Sequence, residues 1–216
     1  MAAKIITIAQ QKGGAGKTTL AAHLALAWAA TCRVAIIDID PQASLATWFR
    51  LRRERLGALA PGIEVAALGG WRVAGEVERQ ARSHDIVVID SAPHAETEAR
   101  IAVRLASLVL VPVQPSPMDV WATRPTLELA RLERVPALLV LNRVPARANL
   151  TEAMAAELDA LGAPVAAAQI GNRVALASAL AEGKGILEAA PHSRAAEEIA
   201  ALAREVLSWA ERRDAA

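Results

Sequence analysis

Short, unbroken apolar runs alternate along this chain with longer stretches in which apolar residues recur every three or four positions. Ile5–Ala9, Val34–Ile37, Ile86–Ile89, Leu108–Val113 and Leu138–Leu141 are β-branched or leucine-rich and show no polar alternation. Such runs suit strands covered on both faces, the condition of a parallel sheet. Weaker runs predict further strands at Ile63–Ala67 and Pro164–Ala168. Helical spacing predicts helices over Lys17–Ala30, Ser44–Leu59, Val73–Ser83, Thr97–Leu105, Val120–Leu132, Leu150–Leu161 and Arg173–Ala181. A last amphipathic helix runs from Ser193 to Arg212. This alternation predicts an α/β fold: a doubly wound, mostly parallel sheet of about seven or eight strands flanked by helices, with right-handed crossovers. No internal repeat and no Pro-, Gly- or Ser-rich linker divides the chain, so residues 1–216 read as a single domain.

Composition narrows the class. With 216 residues, 54% of them hydrophobic, and a formal net charge of +1, the chain can bury a core and is not a disordered tail. No apolar run reaches the roughly 18 residues of a membrane span; the longest, Leu20–Cys32, is broken by His23. The N-terminus lacks the basic-then-apolar pattern of a secretory signal. A lone cysteine, Cys32, excludes an internal disulfide and a thiolate-built zinc or iron–sulfur site within one chain. A cytoplasmic protein is expected. Lysine is scarce: among 24 basic residues only Lys4, Lys12, Lys17 and Lys184 are lysines. Lys12 and Lys17 flank one glycine-rich stretch.

That stretch, Gln11-Lys12-Gly13-Gly14-Ala15-Gly16-Lys17-Thr18-Thr19, follows the first strand and opens the first helix. Glycines there let successive N–H groups turn toward a phosphate, and the helix N-terminus adds partial positive charge. In such a loop Lys17 reaches the β and γ phosphates and the Thr18 hydroxyl ligates Mg²⁺. The strict pattern wants glycine where Gln11 stands. Two other strands end in carboxylates: Asp38-Ile-Asp40-Pro41-Gln42 and Asp90-Ser91-Ala92-Pro93. Acids at the C-terminal ends of buried parallel strands face the crevice where such sheets bind ligands. Asp90 has the position of a Walker B aspartate. One of Asp38 and Asp40 has a second reading, as the cap of the helix beginning near Ser44.

The form Lys-Gly-Gly-x-Gly-Lys-Thr resembles the deviant Walker A box of the ParA/MinD ATPases. Asp38-x-Asp40-Pro41-Gln42 is similar to that family's second box and Asp90-Ser91-Ala92-Pro93 to its third. Val111–Asp119, Gly183-Lys184 and Ser193–Glu197 resemble segments of the small ParA proteins. With the loop beginning at residue 11, the chain looks like a short, ParF-like partition protein without an N-terminal helix-turn-helix domain.

The resemblance implies a P-loop ATPase using ATP and Mg²⁺, hydrolysing slowly alone and faster with a partner carrying a basic, flexible segment. Residues Lys12, Gly13, Gly14, Ala15, Gly16, Lys17, Thr18 and Thr19 would hold the nucleotide. Lys12 would cross an ATP-bound homodimer to the other copy's nucleotide. Asp38 and Asp40 would organise the attacking water, Asp40 foremost; Thr18, Asp38 and Asp90 would serve the metal. Asn142 would read the adenine edge, its other reading being a turn residue beside Pro145. The implied function is partition of a plasmid or chromosome locus on nonspecific DNA. Alternatives are a positioner of another cargo, such as a protein microcompartment or chemoreceptor cluster, and a MinD-like membrane-associated ATPase. A net charge of +1 gives no global pull on DNA, so contacts must be local and made to phosphates. Candidates are Arg143, Arg147, Arg173, Lys184, Arg194 and Arg204, near the nucleoid in the cell. The C-terminal segment has small apolar residues and mixed charge, which fits packing onto the domain rather than onto a membrane.

Overall fold

The computed structural model describes residues 2–57, 62–92, 96–146 and 156–212. Its strands are β1 (Lys4–Ile8), β2 (Val34–Asp38), β3 (Glu64–Ala67), β4 (Ile86–Asp90), β5 (Leu108–Val113), β6 (Ala137–Val144) and β7 (Ile170–Gly171). They form one sheet in the order β3-β2-β4-β1-β5-β6-β7, and every pairing is parallel. The helices are α1 (Lys17–Ala29), α2 (Ser44–Leu56), α3 (Arg72–Ala81), α4 (Glu96–Leu105), α5 (Pro117–Leu132), α6 (Val174–Ala181), α7 (Ile186–Ala189) and α8 (Arg194–Arg212).

Alternate residues of the central strands feed two opposite layers. Ile6, Ile8, Ile36, Val88, Leu110 and Val140 pack against α1, α2 and α8 on one face. On the other face Val109, Val111, Leu139 and Leu141 meet α5, while Ile37, Val87 and Ile89 meet α3 and α4. Both faces are covered, which is why these strands show no polar alternation in sequence.

The register aligns the ligand-bearing ends. Ile8 pairs with Asp90, and Asp90 pairs with Asp38. The loop that leaves β1 therefore starts in the same row as the two carboxylates ending β4 and β2. Chain order reverses beside β1, and the crevice outside such a reversal is where open α/β sheets bind ligands.

Several elements depart from expectation. The strand expected at Pro164–Ala168 is absent; Val165 makes only an isolated bridge to Leu139, and the last strand is Ile170–Gly171. The cause is a side chain. Glu205 on α8 accepts from the amides of Ala167 and Ala168, at 2.8 and 2.9 Å, diverting both from a ladder. α5 starts three residues before the expected Val120, because Ser116 caps it and Pro117 occupies its first position. The helix expected over Leu150–Leu161 is seen at 156–159, and residues 150–155 lie outside the described residues.

Candidate functional site

The loop between β1 and α1 is held open by side chains from distant strands. Gln114, just after β5, donates from Nε2 to the Gly14 carbonyl at 3.1 Å. Asn142, on β6, donates from Nδ2 to the Ala15 carbonyl at 2.7 Å. With those carbonyls drawn outward, the amides of residues 13–16 donate to no protein acceptor among the described residues. α1 has no side-chain cap and no acid in its first turn. Consecutive free N–H groups at such a helix start form an anion cradle. Gly14 and Gly16 lie in left-handed backbone, φ 76° and 92°. A Cβ at Gly16 would also collide with the Asn142 amide, so this position requires glycine twice over.

Lys17 and Asp90 form the floor. Lys17 is buried, and burial pulls its ammonium below the usual lysine range while Asp90 and Asp40 oppose that shift. Asp90 is 1% exposed. Burial pushes its carboxyl up to about 7, with Asp38 and Asp40 adding to the rise and Thr18 and Lys17 resisting it. Neither Asp90 oxygen has a hydrogen bond of acceptable geometry. A buried, unpartnered carboxylate beside a phosphate cradle calls for a cation. No group of three acidic, histidine or cysteine side chains able to hold a metal occurs among the described residues. Mg²⁺ binds through one or two protein oxygens and completes its shell with phosphate and water. Asp90 and Thr18 are the groups that could serve it.

Asp38 and Asp40 separate in role. Asp38 accepts from the amides of Asp40 and Ala46, at 3.1 and 3.0 Å, so both its oxygens anchor the β2–α2 turn. The capping reading therefore falls to Asp38, which is buried and pushed upward chiefly by burial. Asp40 is half-buried, and its carboxylate accepts from the Gln42 amide, at 2.9 Å. Its other oxygen makes no hydrogen bond to described residues. Ala43, in the same turn, is held at φ 48°, an unusual conformation for alanine.

Lys12 and Asn142 both have partners within the chain. The Lys12 ammonium lies 2.7 Å from Oδ2 of Asp119, on α5 of the same chain. Asn142 has both ends of its amide engaged, since its Oδ1 accepts from the Arg143 amide at 3.0 Å. It clamps the loop.

The sequence profile of the CobQ/CobB/MinD/ParA nucleotide-binding domain matches residues 6–186. The chain belongs to that family. It is a ParA/MinD family ATPase. Among similar proteins, "Maintenance of carboxysome distribution protein A" of Halothiobacillus neapolitanus is 29% identical, over 94% of this chain and 95% of its own length. The protein of that name from Gloeobacter kilaueensis is 34% identical, over 86% and 84%. "Chromosome-partitioning ATPase Soj" of Thermus thermophilus is 30% identical, over 94% and 95%. A Cyanothece McdA variant solved with ATP superposes with TM-score 0.78 at 19% identity, covering 95% of this chain and 96% of that one. The septum site-determining protein MinD of Pyrococcus horikoshii, solved with Mg-ADP, gives 0.77 at 20% identity, covering 94% and 96%. Both likenesses bear on the fold.

The basic candidates of this ParA/MinD protein are largely engaged. Arg173 pairs bidentately with Glu198, 2.6 and 2.8 Å, and Arg194 approaches the same carboxylate at 3.5 Å. Lys184 meets Glu182 at 3.2 Å. Arg143 and Arg204 are exposed and make no ion pair among the described residues, and Arg147 lies outside those residues. Arg173 and Arg194 line a cavity of about 560 Å³ beside Val144 and Gly171. Sequence reasoning missed the Gln114 clamp, Asp119 as partner of Lys12, and His23. His23, on α1, is buried; its Nδ1 accepts from the Ile186 amide at 3.1 Å and its Nε2 faces the Leu176 carbonyl at 3.2 Å. Burial holds that imidazole neutral, down at about 4. No helix among the described residues is long and apolar enough to cross a membrane.

Proposed function

We propose that this chain is a ParA-type positioning ATPase whose two copies clasp around Mg·ATP and release on hydrolysis. The observation that carries the reading is the preformed cradle at residues 13–16 with the buried, unpartnered Asp90, and a second lysine in the same loop, Lys12, held by Asp119. Lys17 and Thr18 hold the phosphates and the cation, Asp90 supports that cation, and Asp40 orients water. Asp38 shapes the turn that carries Asp40. Lys12 completes the site of the second copy. The chemistry asked of the protein is placement and charge stabilisation.

The cargo favoured here is a protein microcompartment of the carboxysome type. Two relatives matching most of this chain bear the carboxysome-distribution name, against one chromosome-partitioning relative. Partition of a DNA locus is the second reading. Nonspecific DNA is the track in both, reached through exposed arginines such as Arg143 and Arg204 that two clasped copies would present in duplicate. A membrane track is disfavoured by the C-terminal helix. α8 buries Ile199, Leu202 and Val206 against the core, and Arg212 stacks over Trp209 at 4.4 Å. The test of the cargo is deletion of the gene in its own cell, with imaging of microcompartments and scoring of plasmid retention. Clustered microcompartments with normal plasmid retention support the reading; the reverse pattern selects the partition role. Co-sedimentation with DNA in ATP but not ADP tests the track.

A further inference from the structure

Lys12 reaches away from the phosphate cradle, toward α5. We infer that Asp119 makes pairing of two copies depend on the third phosphate: it retains Lys12 within its own chain until a triphosphate on a second copy draws it away. The inference rests on the role given to Lys12 above and deepens it.

Asp119 is 3% exposed. Its Oδ2 takes both the Lys12 ammonium, at 2.7 Å, and the Ser116 hydroxyl. Its Oδ1 has no partner. A buried carboxylate in that condition does not give up its cation cheaply, because the remaining charge is left without compensation. Lys12 is the one cation paired with it among the described residues.

The acid is also fixed in place. Its amide donates back to Ser116 Oγ at 3.2 Å, closing the cap of α5. The Thr123 hydroxyl donates to the Asp119 carbonyl at 2.8 Å, and Gln10 Nε2 donates to Thr123 Oγ1 at 3.2 Å. Gln10 Oε1 accepts from the Lys12 amide at 3.5 Å, completing a ring from the loop to α5 and back. The Lys12 backbone is held by this ring, yet its side chain is 36% exposed and carries a flexible four-carbon stem. The ammonium can therefore change partners without unmaking the loop. Met118 and Trp121, on the same turn of α5, are 64% and 59% exposed. They share one helical face and give a second copy an apolar seat on the helix that carries Asp119.

Asp119 and the opposing nucleotide thus compete for one cation. A ligand shifts such an equilibrium only by its difference in affinity for the two arrangements. A triphosphate, with more terminal charge, outbids the carboxylate where a diphosphate does not. Removing the carboxylate charge lowers the threshold for both and erodes the distinction.

The test is Asp119→Asn, which keeps shape and the Ser116 contact but removes the charge. Sedimentation velocity is run with Mg²⁺ and ATPγS, or ADP. The variant is expected to pair in ADP, or to pair in ATPγS at a protein concentration about ten-fold lower than wild type. The Lys12→Gln/Asp119→Asn double variant is expected to lose that gain. A wild-type threshold, or a need for more triphosphate, overturns the inference. If Asp119→Asn melts early, Asp119→Ser is read against the same outcomes. Wild-type protein that fails to bind a fluorescent ATP analogue would overturn the reading of the whole site instead.

Discussion

Replacing Asp90 by Asn is expected to stabilise the nucleotide-free protein while disabling its response to Mg·ATP. The Asp90 carboxyl is raised from 3.8 to about 7, chiefly by burial. Each tenfold change in proton affinity is worth about 1.4 kcal/mol, so the ionised form carries about 4 kcal/mol of cost. The folded state keeps a proton that the unfolded chain has released. This group's contribution is therefore full below its unfolded value near 3.8 and is lost as pH rises to about 7. His23 acts in the opposite sense: lowered from 6.5 to about 4, its contribution is full above 6.5 and lost as pH falls toward 4. The two windows overlap, so the wild-type profile alone is uninformative and the difference between variants decides. Asparagine mimics the neutral acid, but it also removes Coulombic support from buried Lys17. The net gain at pH 8 is roughly 2–4 kcal/mol, shrinking toward zero near pH 4. Urea unfolding of wild type and Asp90→Asn, without nucleotide, at pH 4.5 to 8.5 in steps of about one unit reads this difference. A 100-fold excess of Mg·ATP over Kd adds about 2.7 kcal/mol to wild type, and much less to the variant. An Asp90→Asn protein less stable than wild type at pH 8 without nucleotide would refute the reasoning.

The other predictions concern the loop and α1. Gly16→Ala meets both a positive φ and the Asn142 amide, and should cost about 2 kcal/mol in thermal unfolding with loss of fluorescent-nucleotide binding. Asn142→Ala should free the Ala15 carbonyl, cost about 1 kcal/mol in stability, and weaken nucleotide binding through loosening of the loop; unchanged binding contradicts the clamp. His23→Gln should lose stability less steeply than wild type between pH 6.5 and 4 in matched urea series. Asp40→Ala should retain ATP-dependent pairs but slow phosphate release, measured with a phosphate sensor, by about a hundred-fold or more.

Local pattern carried the strands and the cradle because each is written in consecutive residues. Ile86–Ile89 reads as a buried strand from its own composition, and Gly13–Thr18 as a phosphate loop from its own spacing. What escaped is written between distant residues. Glu205 removes the strand expected at Pro164–Ala168 from 37 positions away, and Gln114 holds Gly14 from 100 positions away. Lys12 is separated from Asp119 by 107 positions, and Arg173 meets Glu198 on another helix. No periodicity encodes such pairs: the loop contacts depend on β5 lying beside β1 and β6 beside β5, and those of Glu205 and Glu198 on where α8 packs. Asp38 and Asp40 lie between these cases: the two carboxylates were visible, but which of them caps α2 depended on the turn held by Ala43.

The central claim is that a terminal phosphate decides whether two copies hold together. Light scattering coupled to gel filtration, in Mg²⁺ with ATPγS and then with ADP, tests it with the unaltered protein. A doubled mass with ATPγS, a single mass with ADP, and no doubling for Lys12→Ala is the predicted result. The mass of one chain in both nucleotides, with binding of both confirmed, contradicts it.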